Sequence, residues 1–280
     1  MMVIEWYKQV RRPRTYAVLG MVALFSVVLS VALAATGSGQ VEFVGDLPLL
    51  MVPRSSGLSV PVIALSSTMK FFLPLAVSLF AAESVAGDAS WGSLRYTLTR
   101  PVSRSRILWT KAAVAALLSA ISLLTLIVVA LLVGGLWFGW HALSVTNGST
   151  STPGHPQIVV VNVGTMMGHL GIAALYVGAG MTSIFAVAFF LSTTTRRPLI
   201  AVAGGVALTI ISRIFNADYF PGIKVVNRFM PNNDVDLWQH LLTRPADLSG
   251  VPHFLFLQVA YVIAFMLLAQ VWFTRKDILD

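Results

Sequence analysis

Six long runs of apolar residues, almost free of charged side chains, constrain this sequence more than any other feature. Each run is close to the ~20 residues that an α-helix needs to cross a bilayer. A backbone inside lipid must satisfy its hydrogen bonds internally, and no strand-like alternation of a barrel is present, so helices remain. Only 11% of the residues are charged, against about 25% in soluble domains. The sequence therefore predicts an all-α, polytopic integral membrane protein.

We expect one transmembrane domain over residues 1–280. The six predicted spans cover residues 17–36, 61–86, 107–133, 170–192, 199–215 and 252–273. Residues 37–59, 141–157 and 216–251 are predicted to be outside segments, and a short helix is expected from Ile158 to His169. The fourth span is rich in small residues, which predict close helix packing: Gly171, Ala173, Ala174, Gly178 and Gly180. The pairs Gly164/Gly168 and Gly135/Gly139 add to this pattern. Ala32-Leu33-Ala34 also resembles a signal-peptide cleavage site, but the long first run favours a retained span.

An amphipathic helix is expected before the first span. Val3, Trp6, Tyr7 and Val10 share one face by their spacing, and Glu5, Lys8, Gln9 and Arg12 share the opposite face. This pattern favours a helix that lies in the membrane interface, and Pro13 should end it.

The distribution of Lys and Arg predicts the orientation. If the N-terminus is inside, most of the 19 cationic residues lie inside too. They are Lys8, Arg11, Arg12, Arg14, Arg95, Arg100, Arg104, Arg106, Lys111, Arg196, Arg197, Arg275 and Lys276. The positive-inside rule then places both termini and residues 87–106 in the cytoplasm. The net charge of +8 is explained by this bias rather than by binding to nucleic acid.

Residues 83–111 form the most polar stretch in the first half of the chain. Asp88 or Ser90 is a candidate cap for a short helix with Trp91, Leu94 and Leu98 on one face. Pro101 would end that helix, and Ser103 is a candidate cap for the next one. Such a helix could dock on a cytosolic partner or rest on lipid headgroups, and physical arguments alone leave both interpretations open.

Two ionisable residues lie in or near the second predicted span. Lys70 is either a cation that lines a substrate path or a side chain that extends to the interface. Glu83, near the inner end of the span, is a candidate for pairing with a basic neighbour or for a gating role.

A sequence pattern from Glu83 to Lys111 resembles the signature of ABC-2 type transporter permeases. The matching residues are Glu83, Gly92-Ser93-Leu94, Leu98-Thr99-Arg100-Pro101-Val102-Ser103-Arg104 and Lys111, and the tail Phe273-Thr274-Arg275-Lys276-Asp277-Ile278 is similar to the family's usual ending. The resemblance implies a permease fold of six spans with an N-terminal elbow helix. It also implies a coupling role for Trp91, Leu94, Arg95, Leu98, Arg100, Pro101 and Arg104.

The same resemblance implies the partners. A second permease copy or homologue and two cytosolic ATPase subunits would complete an exporter of a hydrophobic or amphiphilic substrate in the plasma membrane, such as a bacterial inner membrane. ATP and magnesium would be held by the ATPase, because this chain has no Gly-x-x-x-x-Gly-Lys-(Ser/Thr) loop. No cofactor, metal or catalytic residue is expected in this chain, which is predicted not to be an enzyme. The alternatives are a membrane scaffold that recruits a cytosolic partner, or an autonomous channel or ion-coupled carrier.

Overall fold

The structure, a computed structural model, describes residues 2–35, 56–92, 102–141, 143–147, 157–215, 228–242 and 250–275. Helices account for most of this part of the chain. In order they are α1 (Met2–Val10), α2 (Pro13–Ala35), α3 (Ser59–Thr68), α4 (Phe72–Ser90), α5 (Arg104–Phe138), α6 (Val163–Thr194), α7 (Pro198–Ile214), a 3₁₀ helix (Asn233–Leu242) and α8 (Val251–Arg275). Two strands, β1 (Leu143–Asn147) and β2 (Gln157–Val161), lie between α5 and α6.

Five helices, α2, α4, α5, α6 and α8, are long and apolar enough to cross a membrane. The protein is therefore a multi-pass helical membrane protein, as its composition predicts. Helix α7 has 17 residues, a length of about 25 Å at 1.5 Å per residue. This is shorter than the hydrocarbon core of about 30 Å. The arrangement of six spans remains a prediction.

Helix α4 lies at the centre of the bundle. It is the most buried of the five long apolar helices, and it packs against α5, α6 and α7. Helix α2 packs on α5, and α8 packs on α6. Residues 83–87 of α4 form a π-helical turn within the otherwise α-helical segment. Turns of this kind are rare and are often found at functional sites.

The bundle has two ends, which we call the N-terminal end and the far end. The N-terminal end carries α1, the last turn of α4 and the first turn of α5. It also carries the last turn of α8, because Arg104 Nη1 donates a hydrogen bond to the Thr274 carbonyl at 3.3 Å. The far end carries the start of α3 and the end of α5, where Ser56 Oγ donates to the His141 carbonyl at 2.6 Å.

Two backbones approach each other closely at the far end of the bundle. A Cβ at Gly57 would lie 2.6 Å from the backbone of Gly134, so only glycine allows α3 to begin against α5 at this point. By contrast, a Cβ at Gly164, Gly168 or Gly171 would meet no other atom within 4 Å among the described residues. A Cβ at Gly180 would lie 2.8 Å from Val235, and one at Gly178 would lie 3.3 Å from Leu123. The prediction of close packing in α6 is therefore confirmed at Gly178 and Gly180 and wrong at Gly164, Gly168 and Gly171.

The region before α6 also differs from the sequence prediction. Instead of a helix from Ile158 to His169, the chain forms β2 and then begins α6 at Val163. β1 and β2 pair in antiparallel register, with Leu143 opposite Val161 and Asn147 opposite Gln157. The run Ile158-Val159-Val160-Val161 is rich in β-branched residues, which favour strands, and this composition overrides the helical pattern expected there.

The second predicted span is two helices rather than one. Helix α3 ends at Thr68 and α4 begins at Phe72, with Lys70 in the turn between them. Phe71 has φ −148° and ψ −52°, which lie outside the helical region. Lys70 is therefore not placed partway along a continuous helix, as its spacing from Val60 predicted.

The 3₁₀ helix covers this break from the far end. Trp238 is fully buried, and its Nε1 lies 3.1 Å from Met69 Sδ in the turn. Tyr176 Oη donates to the Asp234 carbonyl at 2.8 Å, and Gln258 Nε2 donates to the Pro231 carbonyl at 2.7 Å. Part of the predicted 216–251 external segment thus packs into the bundle instead of extending away from it.

Candidate functional site

The buried carboxylate of Asp88 is the centre of an ion-pair cluster at the N-terminal end. Its side chain is 0% exposed. Lys8 Nζ donates to Oδ2 at 2.7 Å, Lys111 Nζ donates to the same oxygen, and Arg12 Nη2 donates to Oδ1. Burying a charge is costly unless it is paired and hydrogen-bonded. Three cations from three different segments meet that requirement here.

A second carboxylate, Glu5 of α1, extends the cluster. Lys111 Nζ donates to Glu5 Oε1 at 2.9 Å, and Gln9 Nε2 donates to the same oxygen at 3.0 Å. The ammonium group of Lys111 is thus held between two carboxylates, with only 2% of its side chain exposed. The contact joins α1 directly to α5.

This cluster determines which face of α1 meets the protein. The polar residues Glu5, Lys8 and Arg12 point toward the bundle, because they make the ion pairs just described. Val3 and Tyr7 of the apolar face are exposed. Trp6 and Val10, also of the predicted apolar face, pack against the hydrophobic core. The helix therefore binds the protein through its charged groups and these two side chains, and it presents Val3 and Tyr7 outward, where lipid can cover them.

Glu83 lies beside the cluster, at the start of the π-helical turn. It pairs with Arg14 Nη1, and its Oε2 lies 3.9 Å from Arg12 Nη1. Gly87 makes room for this carboxylate, because a Cβ at Gly87 would lie 2.8 Å from Glu83 Oε2. Glycine at position 87 thus has a steric reason.

Trp91 is the exposed end of α4. Its side chain is 75% exposed, and the helix stops there because Gly92 has φ +69°, a left-handed conformation that favours glycine. Asp88 is consequently in the last turn of a long helix and does not cap a new one, contrary to the sequence prediction. Leu94, Arg95, Leu98, Arg100 and Pro101 lie outside the described residues.

Helix α5 begins at Arg104 with Ser103 at the preceding position, as predicted. The predicted position of Ser103 before the helix is therefore confirmed. Within the described chain, however, its side chain makes no capping hydrogen bond to this helix. Arg104 is exposed and donates to the Thr274 carbonyl at the end of α8. This contact joins the start of α5 to the end of α8.

Sequence analysis missed the cluster around Asp88. The sequence shows the polar face of α1, the cap candidate Asp88 and the cation Lys111, but it does not connect them. The available signal was an Asp near the end of a strongly apolar segment, where an unpaired carboxylate would be costly. It predicts that cations lie near Asp88, but it does not identify Lys8, Arg12 and Lys111 as those cations.

Burial also changes the acidity of a carboxyl at the far end. Asp234, in the 3₁₀ helix, has its pKa raised above the ordinary value of 3.8 by desolvation, and the charge of nearby His253 opposes this effect.

The 3₁₀ helix closes over the turn that contains Lys70. In the described part of the chain, Lys70 does not line either of the two cavities considered next.

Two partly open cavities lie between the helices. The larger, of about 540 Å³, is lined almost wholly by apolar side chains of α4, α5 and α6, among them Leu73, Leu123 and Phe185. The smaller, of about 330 Å³, lies between α2, α4 and α5 beneath α1 and has Arg12, Arg14 and Glu83 at one end. The volumes are within or near the range of small-molecule sites.

These helices and this buried charge cluster define a multi-pass helical membrane protein whose N-terminal amphipathic helix is bound by ion pairs. The chain belongs to the family described as "Protein of unknown function (DUF2705)", whose model matches residues 19–279. It is also similar to the "Uncharacterized protein YhcI" of Bacillus subtilis (strain 168). The two are 27% identical over 237 residues, which cover 81% of this chain and 72% of that protein.

Proposed function

We propose that this protein is the membrane-spanning permease subunit of an ATP-binding-cassette transporter. A separate pair of cytosolic subunits would bind and hydrolyse ATP, and a second permease copy or homologue would complete the transport path. The observation that carries this proposal is the position of Trp91. It is a large, exposed aromatic side chain at the end of the most buried helix, beside the buried cluster at Asp88.

This geometry favours the transmission of force. Asp88 is three residues before Trp91, and its carboxylate binds cations from α1, the α1–α2 junction and α5. A partner that displaces Trp91 would therefore move α4 together with its ion-paired neighbours. Packed helices respond to such a load as connected rigid elements rather than as a soft medium.

The proposed substrate class rests on the larger cavity. Its walls are almost entirely apolar, and its volume of about 540 Å³ suits a small hydrophobic or amphiphilic molecule. Glycine and alanine residues, including Gly171, Ala174 and Gly178 of α6, keep one wall open. We propose export of such a molecule, with the N-terminal end of the bundle in the cytoplasm of a plasma membrane.

The test is copurification followed by reconstitution. A tagged protein isolated from its native membrane should carry an ATPase with a phosphate-binding loop, and the complex in proteoliposomes should show hydrolysis stimulated by hydrophobic compounds. Trp91→Ser should weaken ATPase binding or uncouple hydrolysis from transport. Trp137→Ser is the matched control, because Trp137 is also exposed but lies at the far end of α5.

Two outcomes would contradict the proposal. The first is a purified complex without any ATPase, and the second is a Trp91→Ser variant with full binding and coupling. An associated protein without substrate-stimulated hydrolysis would instead identify a membrane scaffold. Transport by the purified chain alone would identify a channel or an ion-coupled carrier.

A further inference from the structure

The side chains that line the smaller cavity are charged at one end and apolar farther along it. Arg12, Arg14 and Glu83 lie at one end, while Val18 and Leu79 form part of the apolar walls. Val18 is four residues after Arg14 on α2, and Leu79 is four residues before Glu83 on α4. One helical turn, about 5.4 Å, therefore separates the charged groups from the apolar wall.

Of the charged residues that line this cavity, two are cationic, Arg12 and Arg14, and one is anionic, Glu83. Two guanidinium groups share the Glu83 carboxylate, and Arg12 also binds Asp88. The Arg14 side chain is 56% exposed and makes its ion pair through Nη1. Because a guanidinium carries five donors in a planar fork, it can bind an oxyanion while keeping a carboxylate partner.

The apolar face of α1 places this end of the cavity near the boundary between headgroups and acyl chains. Val3, Ile4 and Tyr7 are all exposed. An amphipathic helix of this kind lies in the interface, with its apolar side chains among the upper acyl segments. The arginines that follow α1 then lie at the level of lipid phosphates.

From these observations we propose that the cavity binds an anionic phospholipid of the leaflet that contains α1. The phosphate contacts Arg14 and Arg12, and part of one acyl chain occupies the space beside Val18, Leu79 and Phe80. The bound lipid joins α2 to α4 next to the Asp88 cluster. This site is independent of the proposed transport function, since it needs neither an ATPase nor a transported substrate.

The test compares the binding of phosphatidylglycerol and phosphatidylcholine to the whole purified protein, measured by native mass spectrometry and by lipid-dependent thermal stability. We expect phosphatidylglycerol to bind more tightly. Arg14→Gln should lower its affinity by about tenfold, the typical effect of losing a hydrogen bond to a charged group. Arg197→Gln, which removes another exposed arginine at the N-terminal end, should leave it unchanged.

A second variant tests the apolar part of the site without altering any charge. Ala17 is exposed and lines the cavity, so Ala17→Trp should fill the space and reduce phosphatidylglycerol binding even if Arg14→Gln does not fold. Inorganic phosphate and glycerol 3-phosphate should not compete, because they lack an acyl chain.

Equal binding of the two lipids would overturn the proposal. Full competition by inorganic phosphate would do the same, because the site would then bind a soluble anion. An equal loss in Arg197→Gln would show a diffuse surface attraction, and unaltered binding in Ala17→Trp would show that no acyl chain enters the cavity.

Discussion

The Lys111 ammonium nitrogen lies 2.9 Å from a carboxylate oxygen of Glu5, a residue 106 positions earlier in the chain. The Lys111 side chain is almost fully buried and that of Glu5 is mostly buried, and Lys111 also binds Asp88. Through this pair, the first helix of the protein is part of the same charge cluster as the central helix α4 and the start of α5. The stability of the N-terminal end therefore depends on contacts between residues far apart in sequence.

Replacement of Asp88 should destabilise the protein strongly. Asp88→Asn keeps the shape of the side chain but leaves three cations without their shared carboxylate. Breaking a buried pair by removing one partner costs about 3–5 kcal/mol. The measurement is thermal or denaturant unfolding in detergent micelles, followed by the signal of the seven tryptophans.

The double variant Asp88→Asn with Lys111→Met provides the control for charge. Removing the buried ammonium group should recover part of the lost stability, because the remaining cations are more exposed. If the two substitutions instead destabilise additively, the interaction between Asp88 and Lys111 is not what holds this end together.

The close contact between α3 and α5 predicts a steric effect. Gly57→Ala should cost about 1–3 kcal/mol, because the added methyl group would overlap the backbone of Gly134. Gly171→Ala is the matched control, because a methyl group at this helical position would contact no other described atom within 4 Å. It should be neutral or slightly stabilising. Unfolding midpoints of the two purified variants, measured side by side, check the prediction. Equal midpoints would show that α3 can move away from Gly134 without cost.

The partly buried carboxyl of Asp234 predicts that stability at the far end depends on pH. Its pKa is raised in the folded state, so the folded protein holds this proton more tightly than the unfolded chain. The favourable contribution is complete below the ordinary value of 3.8 and is lost as the pH rises through the raised pKa. Asp234→Asn should remove this component from the pH profile of the unfolding midpoint. An identical profile in wild type and variant would contradict the assignment.

The absence of cysteine from the sequence allows a direct test of orientation. Single cysteines at Ser103 and at His141 would lie at opposite ends of α5, and both positions are exposed. If the N-terminal end is cytoplasmic, an impermeant maleimide added to intact cells should label His141→Cys and spare Ser103→Cys. The opposite pattern would place Trp91 outside the cell, where no cytosolic ATPase could reach it.

The sequence was sufficient to predict the class of fold and the approximate position of most long helices. Long apolar runs identify membrane helices because the cost of charge in lipid is large compared with local preferences. The break at Lys70 was missed for a related reason. Phe71 and Phe72 continue the apolar run, so hydropathy alone does not show that the backbone leaves the helical conformation there.

The candidate site was predictable only in part. Glu83 pairs with the basic residues Arg12 and Arg14, as one of its two predicted roles requires. Trp91 is exposed, and its coupling role stays a prediction. The residue at the centre of the cluster, Asp88, was assigned instead to a helix cap. Its partners come from residues 8, 12 and 111, and tertiary pairing over such separations is not encoded in any local spacing.

The way α1 is attached has a practical consequence for defining the minimal unit of this family. The matched family region begins at residue 19, beyond the residues that supply Glu5, Lys8 and Arg12. A shortened protein that began at residue 19 would lack these three residues. Asp88 and Lys111 would then be buried without the ion-pair partners that α1 and the α1–α2 junction supply. A loss of activity in such a truncation would then report a damaged scaffold rather than a missing functional motif.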